Sequence, residues 1–319
     1  MKGIKNIGNT CYVNCVLQIL SYNFNFVDYL NKNITFILNK INNNETSLFI
    51  ELYKIIKELN TKNDITSIIP KSFLQHLEKI WNTPIFIQQD SSDLLQLLID
   101  NCITFFNTNL TYNKVDDDCF DNRAYNKSNE NKLNTFKNQY SEFNKVFYGQ
   151  KMYLITCIEC NHIEYLFEVF NILNIPINDS KTLEECLDKY FNNFKVDDYV
   201  CEKCKCSDVV HKYYIWELPE ILTISFKRFD NNLNKINTLI QLDNNITLKK
   251  YMFEHRRIIS KDYNLYSIIN HLGNYNGGHY ISLIKNNKKW FAIDDDCISK
   301  TAPDKVNSLD NYIIMYNSV

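Results

Sequence analysis

Cys11 sits where a polar, glycine-broken loop (Asn6, Gly8, Asn9, Thr10) runs into an apolar segment. Val13, Val16, Leu17 and Leu20 recur at i, i+3, i+4 and i+7, the spacing of one buried helix face. The cysteine therefore lies at or just before the first turn of a helix. Unpaired N–H groups and the positive end of the dipole favour thiolate over thiol there. A thiolate offers nucleophilic chemistry, whereas most cysteines only pack as small hydrophobes. A suitably placed base decides between the two.

Of six histidines, His279 has the most telling surroundings: it ends the glycine-rich stretch GNYNGG (273–278) and begins the strand HYISLI. A tight turn at Asn286-Asn287 would set His279 directly opposite Asp294 on the next strand, since asparagine tolerates the positive φ that such turns need. Directly opposed residues share a sheet face, with Cβ atoms about 4.5–5.5 Å apart. A carboxylate there would fix the imidazole tautomer and stabilise the imidazolium. Asp295 and Asp296 compete for that role. A one-residue slip faces Asp295 the wrong way, yet leaves it able to support the site. His271 reads as a core or strand-end histidine, and His76, His162, His211 and His255 lack a glycine-opened approach or an acidic partner.

Cys157-x-x-Cys160 and Cys201-x-x-Cys204 each present two thiolates from one tight turn. Two such knuckles make a closed sulfur site suited to structural Zn²⁺, with Cys206 an alternative to Cys204 and reduced free thiols the plain alternative to a metal. The 40 residues between the pairs require a subdomain to bulge out between them. A catalytic zinc has no support, because no HExxH is present.

The positioning elements divide the chain in two. Residues 12–110 read as mainly helical, with clear helical spacing over 47–59 and 91–106. Residues 107–145 are polar and weakly periodic, which predicts a surface excursion or mobile loop whose acidic run Asp116–Asp118 is solvated. From Phe147 onward strands dominate, over 165–177, 213–217, 221–229, 265–272, 279–284, 289–294 and 311–316. Among them Thr182 and Glu185 form a capping box for one helix. A helical first half followed by a sheet-rich second half argues α+β.

With 319 residues, 45% hydrophobic and 23% charged, the chain can build one large or two modest cores. A net charge of −2 leaves no footprint for nucleic acid or an anionic membrane, and no apolar run is long enough for a bilayer span or follows the pattern of a signal peptide. Eleven cysteines, an odd number, suit a reducing compartment, cytosol or nucleus.

These motifs, in this order, resemble the ubiquitin-specific proteases, a family of cysteine deubiquitinases. The Cys box is GIKNIGNTCYVNCVLQ, the Gln-Asp box QQDSSDLLQLLID (88–100), and the finger segment runs from CIEC through CEKCKC to ISFKRF. The His box is YNLYSIINHLGNYNGGHYISLI with WFAIDDD, and NYIIMY closes the domain. Cys15 stands where the family usually has Ser or Ala, and Asp93-Leu94 where it has Glu-Phe.

The resemblance implies a papain-like α+β catalytic domain over 1–319. It would comprise a helical thumb (1–145, with the excursion 107–145), zinc-ribbon fingers (147–215) and a palm carrying the His box (216–319). It implies Cys11 as nucleophile, His279 as base, Asp294 as orienting acid with Asp295 in support, and Asn6 as an oxyanion donor. Asp90, Gln89, Gly277, Gly278 and Tyr280 would hold the substrate's tail, and Cys157, Cys160, Cys201 and Cys204 the structural Zn²⁺. The implied partners are ubiquitin and ubiquitinated proteins. A non-catalytic ubiquitin-binding scaffold and a protease for another ubiquitin-like modifier are the alternatives.

Overall fold

The computed structural model describes residues 1–43, 45–109, 112, 114–116, 119–177, 179–196 and 199–319. Asp117 and Asp118 of the acidic run lie outside the described residues.

Helices fill the first half: α1 (Cys11–Ser21), α2 (Phe24–Lys32), α3 (Ile34–Asn42), α4 (Leu48–Asn60), α5 (Lys71–Trp81) and α6 (Ser91–Phe106). Short strands β1 (Gly3–Ile4) and β2 (Ser67–Ile68) pair in parallel beside them. Every residue of α1 is buried, and the Asn14 and Gln18 amides donate to backbone carbonyls of the preceding segment. Gln18, for example, donates to the Lys2 carbonyl at 2.9 Å.

The second half supplies two sheets. The larger one has the order β14-β13-β12-β11-β15-β9-β7, with β10 pairing β11. Its strands are β7 (Ile172–Pro176), β9 (Ile221–Lys227), β10 (Asn245–Thr247), β11 (Asp262–Asn274), β12 (Gly277–Asn286), β13 (Lys289–Asp294), β14 (Cys297–Thr301) and β15 (Asn311–Ser318). Side-chain alternation divides it cleanly: Ile269, Ile284, Ile313 and Met315 pack with α1, α4 and α6. Ile268, Leu283, Ile314 and Tyr316 pack instead with α9 (Leu183–Tyr190). The smaller sheet, β6-β5-β8, comprises β5 (Gly149–Cys157), β6 (Ile163–Phe170) and β8 (Val209–Glu217). It follows the short α8 (Asn144–Phe147). The expected α+β order holds.

The excursion 107–145 is structured rather than loop-like where it is described. It contains β3 (Thr108–Asn109), β4 (Gln139–Tyr140) and a 16-residue helix, α7 (Phe120–Thr135), lying on the smaller sheet. Sequence periodicity misses α7 because its inward face is polar. Asn126 and Ser128 are buried yet fully partnered: Asn126 exchanges bonds with both backbone groups of Val115, and Ser128 donates to Gln150 at 2.6 Å.

Two hairpins are also corrected. The turn between β12 and β13 is Asn287-Lys288, both left-handed (φ 49° and 63°), one residue later than expected. Ser282 therefore pairs with Ile293 and Asn286 with Lys289, a two-residue register shift that keeps every side chain on its expected face. The glycine-rich stretch 273–278 is likewise a hairpin tip, with Asn274 paired to Gly277 and Gly273 to Gly278. In the capping box, Thr182 accepts from the Glu185 N–H as expected, but the Glu185 carboxylate accepts from the Lys181 N–H.

Candidate active site

Cys11 opens α1, and the loop before it is shaped by Asn6. The Asn6 Oδ1 accepts the backbone N–H groups of Gly8 and Thr10, both at 3.1 Å. Its Nδ2 donates to Asp295 Oδ2 at 3.0 Å, leaving a second amide proton uncommitted to that bond. Asn14, one turn into α1, donates to the other Asp295 oxygen at 2.7 Å. Asp295 itself occupies the left-handed region (φ 53°) in the turn between β13 and β14, and its carbonyl accepts the Ile4 N–H. One acid thus ties the loop before Cys11, the helix after it and the first strand to one turn of the sheet.

His279 and Asp294 meet, but not as directly opposed residues. His279 pairs in register with Leu272 of β11, while its Nε2 bonds Asp294 Oδ1 at 2.6 Å past the end of the β12–β13 ladder. The arrangement matches a same-face diagonal pair, within reach of long side chains. A carboxylate can only accept, so Nε2 carries the proton and Nδ1 is left basic.

The Tyr280 N–H, next in the chain, faces the Cys11 sulfur and favours its thiolate. Cys11 is 1% exposed. Burial lifts its thiol above the usual range, the Asp295 charge adds to that, and the Tyr280 N–H offsets only part. The helix-terminal advantage expected from sequence is outweighed by burial. Forming the nucleophile therefore requires handing its proton to a base, and the His279 Nδ1 is the unoccupied one.

A cleft of about 350 Å³ opens beside these residues. One wall carries Gln89, Asp90 and Asp93; the other carries Phe229, His271, Tyr275, Gly277 and Tyr280. Asp90 caps α6 through the Ser92 N–H (2.7 Å) and accepts the Tyr312 hydroxyl on both oxygens. Burial and the Asp90 charge push the neighbouring Asp93 carboxyl upward. The Gln89 amide donates to the Pro84 carbonyl, whereas Gln88, which sequence reasoning passed over, reaches across to Gly278.

In the smaller sheet, Cys157, Cys160, Cys201 and Cys204 place their sulfurs within 4.8 Å of one another. Cys157 and Cys204 are 3.5 Å apart, Cys160 and Cys201 3.7 Å. A tetrahedral ion with Zn–S bonds of about 2.3 Å sets its sulfurs roughly 3.8 Å apart, so the four residues fit zinc. Cys206 is not in this group; its sulfur accepts the Asp208 N–H. Among the described residues, His279, Asp294 and Asp295 form the other cluster with metal-ligand spacing, but its groups already bond one another, Asn6 and Asn14.

The profile of the ubiquitin carboxyl-terminal hydrolase family matches residues 2–316. The chain belongs to that family. Ubiquitin carboxyl-terminal hydrolase 2 of Bos taurus is 25% identical over 335 residues, covering 99% of this chain and 55% of the relative. Ubiquitin carboxyl-terminal hydrolase 8 of Saccharomyces cerevisiae is 27% identical over 345 residues, with 99% and 70% covered. The chain thus spans about half the length of the bovine hydrolase. Among solved structures, the SAGA Ubp8/Sgf11/Sus1/Sgf73 DUB module bound to ubiquitin aldehyde superposes with a TM-score of 0.76. The two are 25% identical, with all of this chain and 70% of that one covered. Membership accounts for the papain-like α+β core. No helix among the described residues is long and apolar enough to cross a membrane.

Proposed function

We propose that this hydrolase-family chain is a cysteine deubiquitinase that cleaves the bond following the C-terminal glycine of ubiquitin. The observation that carries the reading is the His279–Asp294 bond of 2.6 Å, with Tyr280, next to His279 in the chain, facing a buried Cys11 at the start of α1.

In the first step the Cys11 sulfur attacks the glycine carbonyl carbon as its proton passes to His279 Nδ1, and the carbonyl π pair moves onto oxygen. Backbone N–H groups at the start of α1 and the second Asn6 amide proton stabilise that oxyanion, typically the largest single electrostatic contribution. Collapse expels the lysine amine with the proton from His279 and leaves a thioester. Water, deprotonated by His279, then clears it. Asp294 holds the ring and Asp295 holds Asn6. Asp90 and Asp93 offer charge to a basic tail, with Gln89, Gly277, Gly278 and Tyr280 lining its path.

The four knuckle cysteines hold a structural Zn²⁺ that staples the tip of the smaller sheet, the fingers of the domain. The ion supplies folding energy there and takes no part in the chemistry.

A ubiquitin probe with a C-terminal electrophile should label the wild type and fail to label Cys11→Ala. Labelling of that variant would overturn the assignment of the nucleophile. Parallel turnover of other modifier conjugates tests the substrate: preference for one of them would replace ubiquitin.

A further inference from the structure

Of the residues around the cleft, Gln88 makes a contact that neither the capping of α6 nor the proposed chemistry requires. Its Oε1 accepts the Gly278 N–H at 2.7 Å, and its Nε2 donates to the Gly278 carbonyl. A primary carboxamide carries the same donor and acceptor as a peptide group, so it satisfies both backbone groups of one residue at once.

The position of Gly278 makes this contact consequential. Strand β13 pairs only residues 282–286 of β12, so the edge of 277–281 away from β11 lacks a strand partner. Backbone groups two residues apart on a strand point the same way, so Gly278 and Tyr280 present theirs along that edge. Gln88 takes the Gly278 pair, and the Tyr280 N–H faces the Cys11 sulfur. Gly278 cannot be pushed inward to tolerate a side chain: a Cβ would lie 2.1 Å from the Leu272 carbonyl oxygen and 2.6 Å from His271 Nε2. Gln88 is anchored in turn, because Asp90, two residues on, is bound by the Ser92 N–H and the Tyr312 hydroxyl.

We propose that Gln88 is a positioning residue: its carboxamide replaces the missing strand at Gly278 and so fixes the Tyr280 N–H and the His279 ring against Cys11. This inference rests on the reading of Cys11 and His279 as nucleophile and base. Because the Gly278 carbonyl has two lone pairs, it can keep the Gln88 bond while accepting a substrate N–H, and the clamp persists through turnover.

The test uses two variants in the full chain. Gln88→Met keeps length and volume but can neither donate nor accept; Gln88→Glu keeps the acceptor and loses the donor while ionised. With a fluorogenic ubiquitin amide, both should lower kcat about tenfold or more at pH 8 with KM within about twofold, the loss expected for two hydrogen bonds. Thermal melts close to wild type establish that the variants fold. A merely structural contact would not give the further expected result: as pH falls toward 5, the Gln88→Glu to wild-type ratio of kcat should recover. The neutral acid regains an O–H donor beside its carbonyl, as a carboxamide has. Asp90, Asp93, His271, His279 and Lys235 surround the position and also titrate, but they are common to both proteins and leave the ratio.

An unchanged kcat in both variants, or a ratio flat with pH, overturns the proposal. So does a fall in KM, which would make Gln88 an occupant that substrate displaces. Should the wild type turn over no modifier probe, the proposed function fails and the clamp is still read by hydrogen exchange. Gly278 and Tyr280 amides should exchange at least tenfold faster in Gln88→Met, and unchanged rates would overturn it.

Discussion

Cys11 and Cys201 mark the two thiol centres of the molecule, and their surroundings push in opposite directions. Burial and the Asp295 charge raise the Cys11 thiol above its ordinary value of 9.0. The backbone N–H groups of Cys204 and Lys203 draw Cys201 down to about 6. Within the cysteine cluster the directions divide, because the neighbouring sulfurs push Cys160 and Cys204 up while Cys201 is drawn down. The supports differ too. Cys11 opens a helix buried on every side, locked to the sheet by Asn6, Asn14 and Asp295. The knuckles sit in a small cluster of their own with Ile155 and Val209, apart from the main core. The surroundings of Cys11 are set by long-range contacts, whereas each cysteine pair is presented by a local turn.

The sharpest way to break that division is to disable each centre and read the other. Cys11→Ala should cost at least about 10⁴-fold in turnover while leaving near-stoichiometric zinc by elemental analysis. Zinc loss in that variant would mean the centres are not independent. Cys157→Ser, or stripping the metal with a chelator, should release the ion and deprotect amides of β5, β6 and β8 to hydrogen exchange, while α1 and β12 stay protected. Protection lost evenly through the chain would show one cooperative unit.

Asp294→Asn should lower kcat roughly 10²-fold or more by letting the imidazole adopt the wrong tautomer, less than loss of the nucleophile itself. An equal loss in Asp295→Asn would shift the orienting role to the residue that holds Asn6 and Asn14. The pH dependence has a definite sign: a raised thiol pKa means alkylation of resting Cys11 by iodoacetamide climbs through pH 9 and beyond, with little at neutrality. A plateau near pH 7 would place a thiolate–imidazolium pair in the resting enzyme. Smallest of all, Cys206→Ser should leave zinc content and melting temperature unchanged, since that sulfur accepts only a neighbouring N–H.

Legibility in the sequence tracks how local each determinant is. The helix behind Cys11 and the knuckle cysteines announce themselves through spacing alone. Asn286, Asn287 and Lys288 make an ambiguous run, so spacing puts the β12–β13 turn one residue early; the observed φ values pick Asn287-Lys288. The His279–Asp294 pairing survived because a two-residue shift preserves the face. Helix α7 escaped because its buried positions are polar and find their partners in Val115 and Gln150. Adjacent glutamines are indistinguishable as text, so Gln89 was singled out where Gln88 spans the cleft. The thiol's ionisation also required the fold, because burial is set by segments far away in the chain.

Asn6 and Asp295 are 289 residues apart along the chain, yet share a hydrogen bond. His279 lies far downstream of Cys11, so during synthesis the sulfur emerges well before the imidazole. At about 5–20 residues per second, the ribosome needs some tens of seconds to pass from one to the other, and through that interval the thiol has no His279 to take its proton. Under the proposed chemistry, the Cys11 thiol is thus expected to stay inert until His279 and Asp294 have both emerged.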